Sequence, residues 1–199
     1  PESVSERLLD ELVDALRCLP GVGRKSAQRM VWHLLERDRE GGQNLAGVLK
    51  RVMTEVGHCQ QCRNFSMQPI CSMCSDETRD ASLICVVETP ADVLAVEQSG
   101  SFQGRYFLTM SNLSPIDGIG PDEIGADALV RVCQSGVTEV ILALDSTVEG
   151  EATSHFLTES LSQTGVSVSR IAHGVPMGGT LEYIDGGTLF HAISGRKPV

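Results

Sequence analysis

The sequence of 199 residues lacks several features that would place it in other classes of protein. It has no run of about 18 apolar residues, so we expect no membrane span. Its polar, acidic first segment, PESVSERLLDELV, does not resemble a secretory signal, and we expect a cytoplasmic protein. The segment GVGRKS lacks the G-x4-G-K-[ST] spacing of a P-loop, so nucleotide hydrolysis is not predicted.

An excess of basic residues is also missing, since the formal net charge is −10. Residues 80–199 hold 15 acids and 5 bases, whereas residues 1–79 hold 11 of each. Within residues 16–39, however, six Arg or Lys side chains stand against two acids, a local charge of 6 − 2 = +4. Any contact with nucleic acid must therefore be local, or be multiplied by oligomerisation.

Four cysteines are spaced as C-x2-C, eight residues, C-x2-C: Cys59, Cys62, Cys71 and Cys74. Each pair closes a tight turn that aims two thiolates at one point, and two pairs complete a tetrahedral Zn²⁺ shell. Because no position is left for water, the spacing favours a structural rather than a catalytic site. Two disulfides or four free thiols are the alternatives. Three further cysteines lie in apolar stretches, and we expect buried, reduced thiols: Cys18, Cys85 and Cys133.

Hydrophobic periodicity predicts helices before the cysteines and an alternation of strands and helices after them. The first group comprises a helix over 3–16, a second from 24 to the Gly41-Gly42 pair, and a third over 45–56. The second group comprises strands at 83–87, 106–108, 139–144 and 166–171, with helices at 91–98, 122–134 and 150–163. Such alternation predicts a parallel sheet with covering helices. The tail from Gly174 predicts turns with short strands.

The segment LPGVGRKSAQR joins two of the predicted helices by a tight, glycine-containing turn. Glycines let the backbone approach a ligand closely, and the next helix opens with cations beside its unpaired N–H groups. This combination suits a phosphate oxygen. An ordinary helix–helix turn with a solvated basic end is the alternative. The candidate DNA-binding residues are Gly21, Gly23, Arg24, Lys25 and Arg29.

Acidic residues follow the ends of two predicted strands: Glu88 follows the first, Asp145 the third, and Glu149 opens the next helix. The carboxyl ends of parallel strands converge at one edge of a sheet. Three carboxylates there can hold Mg²⁺, although a purely structural role at helix N-termini is also open. We refer to Glu88, Asp145 and Glu149 as the acidic edge.

The segment LPGVGRKSAQR resembles a helix-hairpin-helix. A helix-hairpin-helix followed by a four-cysteine module and then by an α/β domain is a specific order of modules. Further segments that carry the resemblance are ICVVETPADV, LSPIDGIGPD, STVEGEAT and RIAHGVPMGG. Over nearly its full length the chain resembles the RecR family of bacterial recombination mediators. The resemblance implies an α+β fold of four modules: a helix-hairpin-helix domain at 1–56, a zinc finger at 57–78, a Toprim domain at 80–175 and a C-terminal assembly region at 176–199.

The resemblance also implies a function, that of a non-enzymatic, nucleoid-associated mediator that binds DNA at gaps and junctions. It would form a homodimer or a tetrameric ring, act with RecO and RecF to load RecA, and dock RecO on the acidic edge. Toprim enzymes use a Glu and an Asp-x-Asp pair, but Thr147 stands at the second Asp position, so Mg²⁺ binding is doubtful. Relatives usually have Asn-Pro where Asp145-Ser146 stands. A Mg²⁺-dependent DNA-processing enzyme and a purely structural zinc adaptor are the alternatives.

Overall fold

The computed structural model describes residues 4–172, 174–176 and 178–196. Contacts within the chain divide it into two compact units, Pro1–Val56 and Gly57–Val199, and each is described by itself. Within the described ranges, no helix is long and apolar enough to cross a membrane.

The first unit contains three helices, α1 (Val4–Leu16), α2 (Arg24–Glu36) and α3 (Arg39–Glu55). Its core is small and lies between α1 and α2, where Val13, Ala27 and Val31 are buried. These positions follow the helical spacing of apolar residues, so the pairing of α1 with α2 could be predicted. The predicted cap at Ser3 lies outside the described residues.

Helix α3 differs from the prediction at its start. The Gly41-Gly42 pair does not end α2, which stops at Glu36, but lies within the first turn and a half of α3. Asp38 caps α3 by accepting a hydrogen bond from the N–H of Gly41 at 2.9 Å. A Cβ at Gly41 would lie 2.2 Å from the Asp38 carboxylate, so glycine suits this cap although it is a weak helix former.

The apolar face of α3 is exposed within its own unit. No residue of α3 is buried, and Leu45 and Leu49 expose about half of their surface, 52% and 53%. Together with Leu12 and Leu16 of α1 they line an apolar groove. An exposed apolar stripe of this length is typical of a surface that another element covers.

The second unit begins with the cysteine module and continues into a four-stranded parallel sheet. The module comprises β1 (Gly57–His58), β2 (Phe65–Ser66) and α4 (Ser72–Ser75). The sheet comprises β3 (Asp80–Val87), β4 (Gly104–Leu108), β5 (Glu139–Leu142) and β6 (Ser167–Arg170), in the order β4-β3-β5-β6. Its helices are α5 (Pro90–Ser99), α6 (Pro121–Ile124), α7 (Ala126–Cys133) and α8 (Val148–Leu161). The predicted alternation and parallel sheet are confirmed.

Both faces of the second half of β3 are buried, which explains the continuous apolar run in this strand. Ile84 and Val86 point into a core with α7 and α8 residues such as Leu129 and Leu157. The alternate residues, among them Val87, point into a second core that includes Val93 of α5 and the four cysteines of the module. The cysteine module and the sheet therefore share one core.

Three other expectations need correction. The helix predicted over 122–134 is broken at Gly125, whose φ of 74° separates α6 from α7. The tail contains a 3-10 helix (Leu181–Tyr183) and α9 (Gly186–Ser194) instead of short strands, since Asp185 caps α9 by accepting from the N–H of Thr188 at 2.9 Å. Cys18 is exposed, because it follows the end of α1, whereas Cys85 and Cys133 are buried as predicted.

Candidate metal, nucleic-acid and acidic sites

The two cysteine pairs lie on two different kinds of tight turn. Cys59 and Cys62 follow β1, where the N–H of Arg63 donates to the Cys59 carbonyl at 2.9 Å and closes the first turn. Arg63 has a φ of 66°, an uncommon value for a residue other than glycine. Cys71 caps the short helix α4, which carries Cys74 one turn later. The backbone of each turn therefore aims two sulfurs inward.

The four sulfurs form a compact, buried cluster that fits a zinc ion. All four Sγ atoms lie within 4.8 Å of one another, and the Sγ atoms of Cys62 and Cys71 are 3.5 Å apart. Zinc–sulfur bonds of about 2.3 Å in a tetrahedron place sulfurs about 3.8 Å apart, so little movement is needed. A hydrogen bond from Cys74 lowers the pKa of the Cys62 thiol from its usual value. The four cysteines therefore fit a structural Zn²⁺ site.

The cysteine module is bonded to strand β4 at the edge of the sheet. The N–H of Leu108 donates to the Cys62 carbonyl at 2.8 Å. The guanidinium of Arg63 donates to the carbonyls of Leu108 and Thr109 and, at 2.6 Å, to that of Glu123. The sequence did not reveal this role of Arg63, because nothing in the spacing of the cysteines indicates where the next side chain reaches.

The turn between α1 and α2 is tight and contains two glycines. The N–H of Val22 donates to the Leu19 carbonyl at 3.2 Å, and Gly21 has a φ of 78°. Gly23 caps α2 and offers no side chain to its first N–H groups. A Cβ built on either glycine would meet nothing within 4 Å in this chain, so both sites are open on the outer side.

The three candidate cations of this turn differ in their surroundings. Arg24 is paired with α1, where its Nη2 donates to Asp10 Oδ1 at 3.1 Å and its Nη1 lies 4.0 Å from Asp14 Oδ1. Lys25 and Arg29 are exposed on α2. In the part of the chain that the structure describes, neither of these two forms an ion pair with a carboxylate. Of the three candidate cations, these two therefore carry the positive charge that is not paired with a carboxylate in the described structure.

Glu88 is the most enclosed member of the acidic edge. It follows β3, and its Oε2 accepts a hydrogen bond from Asn112 Nδ2 at 2.7 Å. Partial burial raises the pKa of Glu88, and the negative charge of Asp145 adds to this rise. Asp145 and Glu149 are both exposed. The structure thus brings Glu88 and Asp145 into electrostatic contact at the carboxyl ends of β3 and β5.

Thr147, which stands at the second Asp position of the Asp-x-Asp pair, has a structural role. Thr147 caps α8 by accepting a hydrogen bond from the N–H of Gly150 at 3.0 Å. A Cβ on Gly150 would lie 2.0 Å from the backbone carbonyl oxygen of Asp145, so glycine is required for α8 to begin so close to β5. Within residues 4–172, 174–176 and 178–196, only the four cysteines gather three or more metal-binding side chains. The acidic edge does not form such a group there.

Two polar contacts that the sequence did not reveal fix α8 and its neighbours. Glu151 accepts from both terminal nitrogens of Arg170, at 2.6 and 2.8 Å, which ties α8 to β6. Thr153 is buried, accepts from the N–H of Leu113 at 2.9 Å and donates to the Glu149 carbonyl at 2.7 Å. The contact of Glu151 with Arg170 and that of Thr153 with Leu113 join residues that are distant in the sequence, and periodicity gives no signal for such pairs.

Comparisons with known proteins match four family models to successive parts of the chain. Family models match at residues 9–53 (RecR, helix-hairpin-helix), 56–76 (RecR, four-cysteine zinc finger domain), 82–172 (Toprim domain) and 174–197 (RecR, C-terminal). The recombination protein RecR of Saccharophagus degradans is 55% identical over 193 residues, which cover 96% of this chain and 98% of that relative. The chain belongs to the RecR family. The predicted fold class is confirmed, as is the assignment of the four cysteines of this RecR-family protein to a zinc finger.

Proposed function

We propose that this chain is a non-catalytic mediator of DNA recombination that binds DNA through the turn between α1 and α2. The observation that carries the proposal is the open start of α2, where Gly21 and Gly23 leave the backbone uncovered and Lys25 and Arg29 are exposed. Backbone N–H groups and cations in this arrangement suit phosphate oxygens and carry no information on base sequence. Binding is therefore expected to depend on DNA structure rather than on sequence.

Several copies must act together for this binding to be strong. One turn presents few cations on a chain of net charge −10, and affinity rises with the number of phosphates neutralised. A dimer or a tetrameric ring would place several turns on one DNA molecule. The exposed apolar stripe of α3 supports assembly, as do Phe190 and Ile193 of α9 in the C-terminal region 176–199. His173, a further candidate for an assembly interface, lies outside the described residues.

Membership of the family supports a proposal for the partners. We propose that the protein acts with RecO and RecF to load RecA at gaps and junctions, in the cytoplasm at the nucleoid. The acidic edge, Glu88 with Asp145 and Glu149, is the proposed docking surface for RecO. Charges at the rim of an interface mainly set its association rate and specificity. The zinc finger holds the edge of the sheet and takes no part in chemistry.

The test mixes the full chain with labelled gapped DNA and Mg²⁺ and follows both mobility and strand length. A salt-sensitive shift with intact strands is the expected result. New strand products that disappear in Asp145→Ala would contradict the proposal and indicate a Mg²⁺-dependent enzyme. If the protein shifts neither gapped, single-stranded nor duplex DNA, the proposed DNA binding is wrong. The remaining hypothesis is then a structural zinc adaptor.

A further inference from the structure

Arg63 joins the zinc site to the chain segment that follows β4. Its backbone belongs to the first cysteine pair, since it follows Cys62 and its N–H donates to the Cys59 carbonyl at 2.9 Å. Its side chain leaves the zinc site and donates to the carbonyls of Leu108 at 3.3 Å and Thr109 at 3.4 Å. The ring of Phe107 lies 5.9 Å from the guanidinium carbon.

The chain leaves space for this guanidinium at Gly125. A Cβ at Gly125 would lie 2.2 Å from Arg63 Nη1. The third carbonyl partner, Glu123, lies two residues earlier, 2.6 Å from Nη2. The Glu123 carbonyl, near the C-terminal end of the short helix α6, therefore faces a cation, an arrangement that stabilises both. Arg63 thus holds two segments, the end of β4 and the junction between α6 and α7.

The segment held by Arg63 leads directly to the acidic edge. Immediately after Thr109, the N–H of Met110 donates to the Glu88 carbonyl at 2.8 Å. Met110 has a φ of 65°, a conformation that the surrounding contacts must maintain. Two residues later Asn112 donates to the Glu88 carboxylate at 2.7 Å. Glu88 is therefore held at both its main chain and its side chain by a segment that Arg63 anchors.

We propose that Arg63 is a positioning residue that couples occupancy of the zinc site to the conformation of the acidic edge. With zinc bound, the first cysteine turn is fixed and Arg63 holds segment 108–112 against β3. When zinc is lost, the turn relaxes, the guanidinium leaves its carbonyl partners, and segment 108–112 and Glu88 become mobile together. Mobility of Glu88 would also weaken the docking of RecO. That effect rests on the proposed function, whereas the coupling between the zinc site and Glu88 does not.

Hydrogen exchange of the full chain tests the coupling. In zinc-loaded Arg63→Ala, the hydrogen-bonded amides of segment 108–112, those of Leu108, Thr109 and Met110, should exchange at least about tenfold faster, the effect of losing hydrogen bonds to a charged group. Zinc content should stay at one ion per chain, as metal analysis would verify. Chelation should raise exchange at 108–112 in the unchanged protein by at least as much, and by a smaller factor in the variant, which has already lost the Arg63 bonds. Arg63→Lys, which keeps the charge, should restore part of the protection. The matched control is Arg131→Ala, an exposed arginine of α7.

A second variant, Gly125→Ala, tests the coupling even if Arg63→Ala loses some of its zinc. Gly125→Ala should displace the guanidinium and raise exchange at 108–112 while zinc is retained. Gly136→Ala places a side chain at a similarly strained φ of 90° in open space and should leave 108–112 unchanged. Adding Arg63→Ala should abolish the difference between the two glycine variants. Unchanged exchange at 108–112 in Arg63→Ala, or equal effects of the two glycine variants, would overturn the proposal.

Discussion

Arg24, the first residue of α2, is paired with Asp10 of α1 through a contact of 3.1 Å between Nη2 and Oδ1. Asp14 lies near the same guanidinium, at 4.0 Å. One of the three cations predicted to bind DNA therefore also stabilises the pairing of α1 with α2. If this turn binds DNA as proposed, the positive charge for it comes mainly from Lys25 and Arg29.

Asp10→Asn should release Arg24 and strengthen DNA binding. Exposed ion pairs contribute about 0.2–1 kcal/mol, so we expect a gain of roughly 1.4- to 5-fold, measured by fluorescence anisotropy at low salt. Glu11→Gln makes the same change of charge at an exposed neighbouring position on α1 and serves as the control. An equal gain in both variants would mean that the pair with Arg24 has no effect on binding.

Lys25→Ala combined with Arg29→Ala should weaken DNA binding and flatten its dependence on salt. If each cation neutralises one phosphate, the slope of log K against log salt should fall by about 1.8 per turn on duplex DNA. Lys50→Ala with Arg51→Ala removes the same charge from α3 and should change the slope little. An unchanged slope in the first double variant would exclude the turn as the DNA-binding element.

Cys71→Ser should abolish zinc binding and destabilise the second unit. Zinc ligation supplies most of the folding free energy of a small finger, and the cysteines share a core with β3 and β4. We expect a fall in melting temperature of more than about 5 °C, since 1 kcal/mol corresponds to about 2–4 °C at this chain length. Cys18→Ser replaces an exposed thiol and should change neither metal content nor melting.

Glu97→Gln should reduce the loss of stability at acid pH. Hydrogen bonds from Arg79, at 3.0 Å to Oε1, and from Tyr106, at 2.6 Å, lower the pKa of Glu97. A lowered pKa stabilises the fold above the unfolded value of about 4.3 and loses that effect as pH falls through the folded pKa. Urea denaturation between pH 7 and pH 3 should show a shallower decline for the variant. An identical pH profile would indicate that the pair with Arg79 adds nothing to stability.

Gly150→Ala should destabilise the start of α8 by about 1–3 kcal/mol, because the new Cβ meets the Asp145 carbonyl. Gly47→Ala lies in open space on α3 and should stabilise its helix by up to about 1 kcal/mol. Thermal melting distinguishes the two, with opposite signs expected. Destabilisation of similar size in both variants would mean that the contact with Asp145 is not the cause.

The sequence predicted the modules and the order of elements well, for physical reasons. Buried parallel strands require continuous apolar runs, as in β3, and helices require apolar residues at helical spacing, as in α1 and α2. The spacing of the cysteines was enough to predict the metal site. Cys59 and Cys62 lie on one local turn, and Cys71 and Cys74 lie on another. Such features depend on neighbours in the sequence and can therefore be recognised there.

Contacts between distant residues were not predictable in the same way. Arg63 reaches Glu123 and Asn112 reaches Glu88 only because the fold brings their segments together. The pair Gly41-Gly42 made the prediction of helix ends wrong, since a capping contact with Asp38 outweighs the weak helix propensity of glycine. In the tail, the glycine pairs favour turns, but the cap at Asp185 stabilises the first turn of helix α9.

The bond between Leu108 and Cys62 has a consequence for solubility. Strand β4 is at one end of the sheet, and an uncovered end strand offers unpaired N–H and C=O groups to other chains. The cysteine module occupies part of that border, and the buried residues of β4, among them Phe107 and Leu108, lie directly behind it. Metal-depleted protein is thus expected to self-associate through β4, so that zinc keeps the chain from aggregating.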